Sequence, residues 1–112
     1  MPYLHLHTNV TVEDEASFLK LCSETTARAL AKPESYVMVN LSHGRPMLFA
    51  GSDEPLAYIE LKSLGMPGHA TAELSATLCK MVEQELGIEG GRMYIQFSGP
   101  DRNMWGWDGG TF

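Results

Sequence analysis

At 112 residues the chain has the size of one ordinary domain, and a composition of 44% hydrophobic and 20% charged residues excludes a fibrous or disordered polymer. Eight basic against fourteen acidic side chains leave a formal net charge of −6 with the cations scattered, which argues against a nucleic-acid partner. Two cysteines, Cys22 and Cys79, are too few and too far apart for a disulfide scaffold or a local zinc pair, and are expected to be buried, reduced thiols.

The opening Met-Pro-Tyr-Leu-His has no basic region, apolar stretch or small-residue cleavage site of a secretory leader. The cytoplasm is therefore the expected compartment, with leaderless secretion left open. No run approaches the roughly 18 consecutive apolar residues of a spanning helix, so no membrane association is expected.

Tyr3 to Thr8 alternates Leu4 and Leu6 with His5 and His7, the period of a strand covered on one face. Thr11 offers an N-cap to a first helix. Glu13, Asp14 and Glu15 suit the positive end of its dipole, and Phe18, Leu21, Cys22 and Ala29 recur at helical spacing until Pro33 bars continuation. Tyr36 to Ser42 and Met47 to Ala50 read as strands around a Ser-His-Gly-Arg-Pro turn, and Leu56 to Ser63 alternates again.

A second helix places Leu74, Leu78, Val82 and Leu86 on one face and stops at Gly87, before a last strand from Arg92 to Ser98. Cys22 and Cys79 are separated by the same interval as Val37 and Tyr94, so the second half repeats the first. The fold class predicted is α/β (α+β): two consecutive βαβ units forming a four-stranded sheet with two helices on one face, in a single domain over 1–112. Tyr36 and Met38 alternate with Val37, Val39 and Leu41, which puts apolar side chains on both faces of the sheet. With both helices on one side, the economical cover for the other is another copy of the chain, in a closed oligomer whose subunit number the pattern leaves open.

No Gly-rich phosphate loop, metalloprotease helix or nucleophile elbow is present. What remains is the amino end. Loss of Met1 before the small Pro2 exposes a secondary amine at the start of a strand. An ordinary α-amino group titrates at about 7.7 to 8.0, and apolar surroundings with a cation nearby lower that value, leaving a free base at neutral pH. His5 and His7 share one strand face but lack a third ligand, so no metal is predicted.

In chain order, Pro2, Thr8-Asn9-Val10, Lys32-Pro33, Tyr36, Gly51-Ser52, Glu54-Pro55, Ser63-Leu64-Gly65, Arg92, Tyr94-Ile95, Gly106-Trp107 and Thr111-Phe112 resemble the macrophage migration inhibitory factor family over essentially the whole chain. The resemblance implies a homotrimer whose sheets enclose a central barrel, with each site between neighbouring subunits. It implies a keto–enol tautomerase without cofactor that acts on small aromatic keto or enol acids such as phenylpyruvate. Pro2 would be the base, Lys32 and the backbone N–H of Leu64 would hold the substrate carboxylate, and Tyr94 would reach in from the adjacent subunit. Tyr36, Trp105, Trp107 and Phe112 would wall the pocket, although the three C-terminal aromatics equally suit anchoring of the tail.

Three positions depart from the family pattern. Gln96 stands where an Asn is usual, its amide displaced by about a bond length. Trp105 replaces a smaller aliphatic residue. Leu56-Ala57-Tyr58-Ile59 occupies a segment where some members carry Cys-x-x-Cys, which excludes thiol–disulfide exchange here. The alternatives to a tautomerase are a cytokine-like or scaffold trimer that binds a protein receptor, and a hydration or decarboxylation reaction on the same proline.

Overall fold

The alternation of the first segment becomes β1 (Tyr3–Thr8), in which Leu4, Leu6 and Thr8 are buried while Tyr3, His5 and His7 are half-exposed. The computed structural model describes all of residues 1–112. Helix α1 (Glu15–Leu30), β2 (Met38–Ser42), β3 (Ala57–Lys62), α2 (Thr71–Leu86) and β4 (Met93–Ser98) follow, and a small ribbon of β5 (Gly106–Trp107) and β6 (Gly110–Thr111) closes the chain.

The four main strands lie in the order β2-β1-β3-β4. β1 runs parallel to β2 and β3 parallel to β4, each pair joined through a helix, while β1 and β3 meet antiparallel in the middle. These are the two βαβ units expected from the repeat. Leu4, Leu6, Ile59 and Leu61 from the sheet and Phe18, Cys22, Leu74, Leu78 and Val82 from the helices form one buried cluster, so both helices cover the same face. Each fully buried Leu or Ile contributes on the order of 1.5–3 kcal/mol of hydrophobic free energy, which makes this cluster the main stabilising feature. Cys22 is buried as expected, but Cys79 is only half-buried.

Helix α1 begins later than the Thr11 cap predicts. The Asp14 carboxylate accepts a hydrogen bond from the Ser17 N–H at 3.1 Å and is the N-cap. Both are good capping residues; the chain uses the one whose side chain reaches an unpaired N–H of the first turn. At the other end Ala31, in the left-handed region, turns the backbone out of the helix ahead of Pro33. Helix α2 ends on Gly87 as predicted, its φ of 70° suited to glycine. Neither helix is long and apolar enough to cross a membrane.

Two strand expectations are corrected. Glu34–Tyr36 is a turn of 3-10 helix, so β2 starts at Met38 and leaves Tyr36 outside the sheet. Met47–Ala50 is not a strand: it makes a single bridge between Phe49 and Ser52 around Ala50 and Gly51, both at positive φ. Its short run of consecutive apolar residues between turn signals reads as a strand but has no ladder within the chain to pair with. The hook is held instead by Arg92, whose guanidinium donates to the carbonyls of Phe49 at 2.8 Å, Ser52 at 3.0 Å, Glu54 at 2.8 Å and Pro55 at 3.3 Å.

The helix-free face of the sheet is arranged in three rows by the register. Met38, Tyr3, Lys62 and Ser98 form the first, Asn40, His5, Glu60 and Gln96 the second, and Ser42, His7, Tyr58 and Tyr94 the third. Its centre is thus polar rather than apolar, with tyrosines and Met38 around it. Sequence periodicity identifies which residues share a face but not which strands are neighbours, so this polar centre was not foreseen.

Candidate functional site

Pro2 is fully buried at the head of β1. Its carbonyl accepts a hydrogen bond from the Met38 N–H at 3.0 Å, which continues the β1–β2 ladder beyond the strand and fixes the residue against its neighbour. Around it opens a cleft of about 460 Å³ walled by Met1, Tyr3, Tyr36, Met38, Lys62, Trp105, Trp107 and Phe112. That volume suits a small aromatic molecule.

The C-terminal ribbon supplies most of the aromatic wall. Asp108 and Gly109, both at positive φ, make the tight turn between Trp107 and Gly110, and the Trp107 and Phe112 rings stack 5.8 Å apart at 20°. The Phe112 N–H donates to the Trp105 carbonyl at 3.2 Å, and the Arg102 guanidinium donates to the Phe112 carbonyl at 3.3 Å. Asp-Gly flanked by Trp107 and Gly110 is a strong two-residue hairpin signal, and it would have predicted this ribbon from the sequence.

The terminal amine of Met1 has its pKa lowered, first by burial and then by the charge of Lys32. Lys32 itself is exposed just past the end of α1, where its N–H donates to the Ala27 carbonyl at 2.9 Å. It is not part of the cleft wall, but its field reaches the terminus. Lys62 does line the cleft and was not singled out from the sequence. The alternation of Leu56 to Ser63 puts Lys62 on the face of Tyr58 and Glu60, but only the β1–β3 register sets it opposite Tyr3.

Leu64 lies just past the end of β3, after Ser63 and before Gly65 at a φ of 67°, and its N–H makes no hydrogen bond within the chain. Gln96 and Tyr94 are not brought to Pro2. Gln96 accepts a hydrogen bond from the Tyr58 hydroxyl in the middle row, and Tyr94 packs on Phe49, ring centres 4.8 Å apart, in the far row. Two strands across and five residues along separate Tyr94 from Pro2, roughly 19 Å at ordinary strand spacings. Tyr36, Trp105, Trp107 and Phe112 therefore meet Pro2 within one chain, whereas Tyr94 and Gln96 do not.

A second hollow of about 520 Å³ lies between Val10–Asp14 and the end of α2. Glu13, Asp14 and Glu85 line it without a cation or a histidine, so it offers no counter-ion for an acid substrate.

The family model described as macrophage migration inhibitory factor matches residues 1–112. The chain is 39% identical to a macrophage migration inhibitory factor homolog of Brugia malayi, with 100% of this chain and 99% of that protein covered. It is likewise 39% identical to the D-dopachrome decarboxylase of Gallus gallus, over 87% of this chain and 85% of that one. Among solved structures, the homologue from Prochlorococcus marinus superposes with a TM-score of 0.93 at 42% identity, covering 98% of both chains. With the family match spanning the whole chain and the fold shared, this chain belongs to the macrophage migration inhibitory factor family, within the tautomerase superfamily.

Proposed function

We infer that the chain is a keto–enol tautomerase of the phenylpyruvate type, in which the Pro2 nitrogen, uncovered by removal of Met1, acts as base and acid in turn. The observation that carries this reading is the seating of Pro2: a buried residue at the mouth of an aromatic cleft, at a terminus whose amine is already shifted toward its neutral form by burial and by Lys32. The same surroundings act on the prolyl amine once Met1 is gone. A neutral secondary amine takes a proton from the carbon beside a ketone, and the resulting ammonium returns it to the enolate at the other atom, so one group performs both transfers.

The substrate ring stacks among Trp105, Trp107, Phe112 and Tyr36, and its carboxylate is held by cationic and N–H donors. Lys62 supplies a cation at the cleft wall, and the family resemblance assigns the same role to Lys32 and the unpaired N–H of Leu64, both of which lie outside that wall. Positioning of this kind adds to a general acid–base contribution of about 10²- to 10⁴-fold.

The functional unit is a homotrimer with the sheets around a central barrel. Tyr94 and Gln96 stand too far from Pro2 to serve the cleft of their own chain, and a neighbouring copy supplies them. Large apolar side chains are open on one chain: Leu48 at 70%, Tyr94 at 67% and Met38 at 66% exposure. Met47–Ala50 has strand character without a ladder, which the sheet edge of another copy provides.

The test is the rate of enol-to-keto conversion of phenylpyruvate by processed protein, by Pro2→Gly and by protein retaining Met1, each checked by intact mass. Losses of about 10²-fold or more in the latter two are expected. Comparable rates in all three remove Pro2 from the reaction.

A further inference from the structure

We propose that His5, His7 and Glu60 form a binding site for a first-row divalent cation, Zn²⁺ by ligand type, on the helix-free face of the sheet. His5 and His7 stand two apart on β1 and project from one face, and Glu60 is the register partner of His5 on the antiparallel neighbour β3. The sheet thus supplies the third ligand that the His-x-His pair lacked in the sequence. One ligand atom from each residue lies within 4.8 Å of the others. Bonds of about 2.0–2.2 Å from a central ion fit a triangle of that size after small rotations of the side chains.

The arrangement has the features of an ion site with an open position. His7 Nε2 is 2.9 Å and His5 Nδ1 is 3.6 Å from the same oxygen, Glu60 Oε2, so both rings aim at one point. The far nitrogen of His5 is already engaged: Nε2 lies 2.9 Å from Ser42 Oγ. When Nε2–H donates there, the Nδ1 lone pair faces a carboxylate oxygen, an arrangement that a cation between them relieves. Such an outer hydrogen bond is the usual means of orienting a ligating imidazole. The His5 and His7 ring centres lie 3.7 Å apart at 31°.

Side-chain exposures of 17% for His5, 28% for His7 and 26% for Glu60 leave room for water or a small anion in the remaining coordination position. Two imidazoles and one carboxylate suit zinc, nickel or copper rather than magnesium or calcium. Lys62, two residues beyond Glu60 on the same face, places a positive charge nearby and opposes the ion. The affinity expected is accordingly micromolar, that of a three-ligand site rather than of a closed structural one.

None of the three residues lines the Pro2 cleft, and the inference is independent of the tautomerase reading. In a trimer the sites would recur on the faces around the central barrel.

The experiment is calorimetric titration of chelator-treated, untagged, full-length protein with Zn²⁺, with Co²⁺ as a spectroscopic probe in parallel. One ion per chain is expected, together with visible Co²⁺ bands that report nitrogen and oxygen ligands in a low-symmetry site. His7→Gln and Glu60→Gln are each expected to weaken binding at least about tenfold, while His69→Gln, at an exposed histidine outside the cluster, leaves it unchanged. Glu60→Gln keeps the shape and the acceptor for His7, and circular dichroism of every variant separates lost binding from lost fold. No saturable uptake up to about 100 µM, or uptake indifferent to both His7→Gln and Glu60→Gln in folded protein, overturns the proposal.

Discussion

Removal of the Arg92 fork measures how much one side chain contributes to holding the hook at Phe49 to Pro55. The guanidinium donates to four carbonyls and lies over the Phe49 ring, 5.2 Å from its centre. A net contribution of about 0.5–1 kcal/mol per bond, the range for partly exposed groups whose carbonyls regain water, gives about 2–4 kcal/mol for Arg92→Met. Arg92→Lys keeps the charge but presents one compact ammonium in place of a planar fork, and less than half of that loss is expected to be recovered. Urea denaturation at a fixed protomer concentration reads both values, the concentration being held because assembly shifts apparent stability. Because Phe49 packs on Tyr94, the phenylpyruvate rate of Arg92→Met is expected to fall as well. A destabilisation under about 0.5 kcal/mol, or full rescue by Lys, refutes the fork as the support of the hook.

A shared site predicts complementation: Pro2→Gly and Tyr94→Ala chains, each weakly active alone, regain activity when denatured together and refolded, because mixed trimers contain interfaces with both native residues. Failure of a mixture of folded, assembled chains to exceed the separate samples contradicts a site built across copies. Asp14→Ala is expected to lower the thermal midpoint at neutral pH and to have no effect in strong acid. The cap lowers the Asp14 pKa through its hydrogen bond to the Ser17 N–H, so its stabilisation is present above the ordinary value of 3.8 and is lost as pH falls through the folded value. Burial pushes the Cys22 thiol up to about 12 from 9.0, with Glu85 adding to the rise. The folded state therefore loses stability as pH climbs from 9.0 toward 12, and the stability advantage of wild type over Cys22→Ala is expected to shrink across that window; an advantage that stays constant removes the thiol as its cause. In native protein at pH 8, Cys79 is expected to react with a disulfide reagent before Cys22, since the former is only half-buried.

The sheet, both helices and their common face were legible because period-2 and period-3.6 patterns report local geometry that tertiary packing here reinforces. Met47–Ala50 misled for the converse reason: a short apolar run bounded by turn residues suits a strand, but a strand exists only where a ladder accepts it. Thr11 and Asp14 are rival caps of similar quality, and only the position of the Ser17 N–H decides between them. The aromatic wall around Pro2 was anticipated from family likeness, and the Asp-Gly hairpin that builds it could have been derived directly. Lys62 and the meeting of His5, His7 and Glu60 depend on which strands become neighbours and in what register, which periodicity alone does not encode.

Pro2 also illustrates what a central first strand does for a chain end. Ends of polypeptides usually sweep through solvent, but β1 has a partner along each edge, and its leading residue is tied to Met38 before the strand proper begins. The nitrogen's location is consequently dictated by main-chain bonding rather than by a side-chain rotamer. Within the proposed mechanism, a tag fused ahead of Pro2 would leave this main-chain ladder in place while acylating the nitrogen.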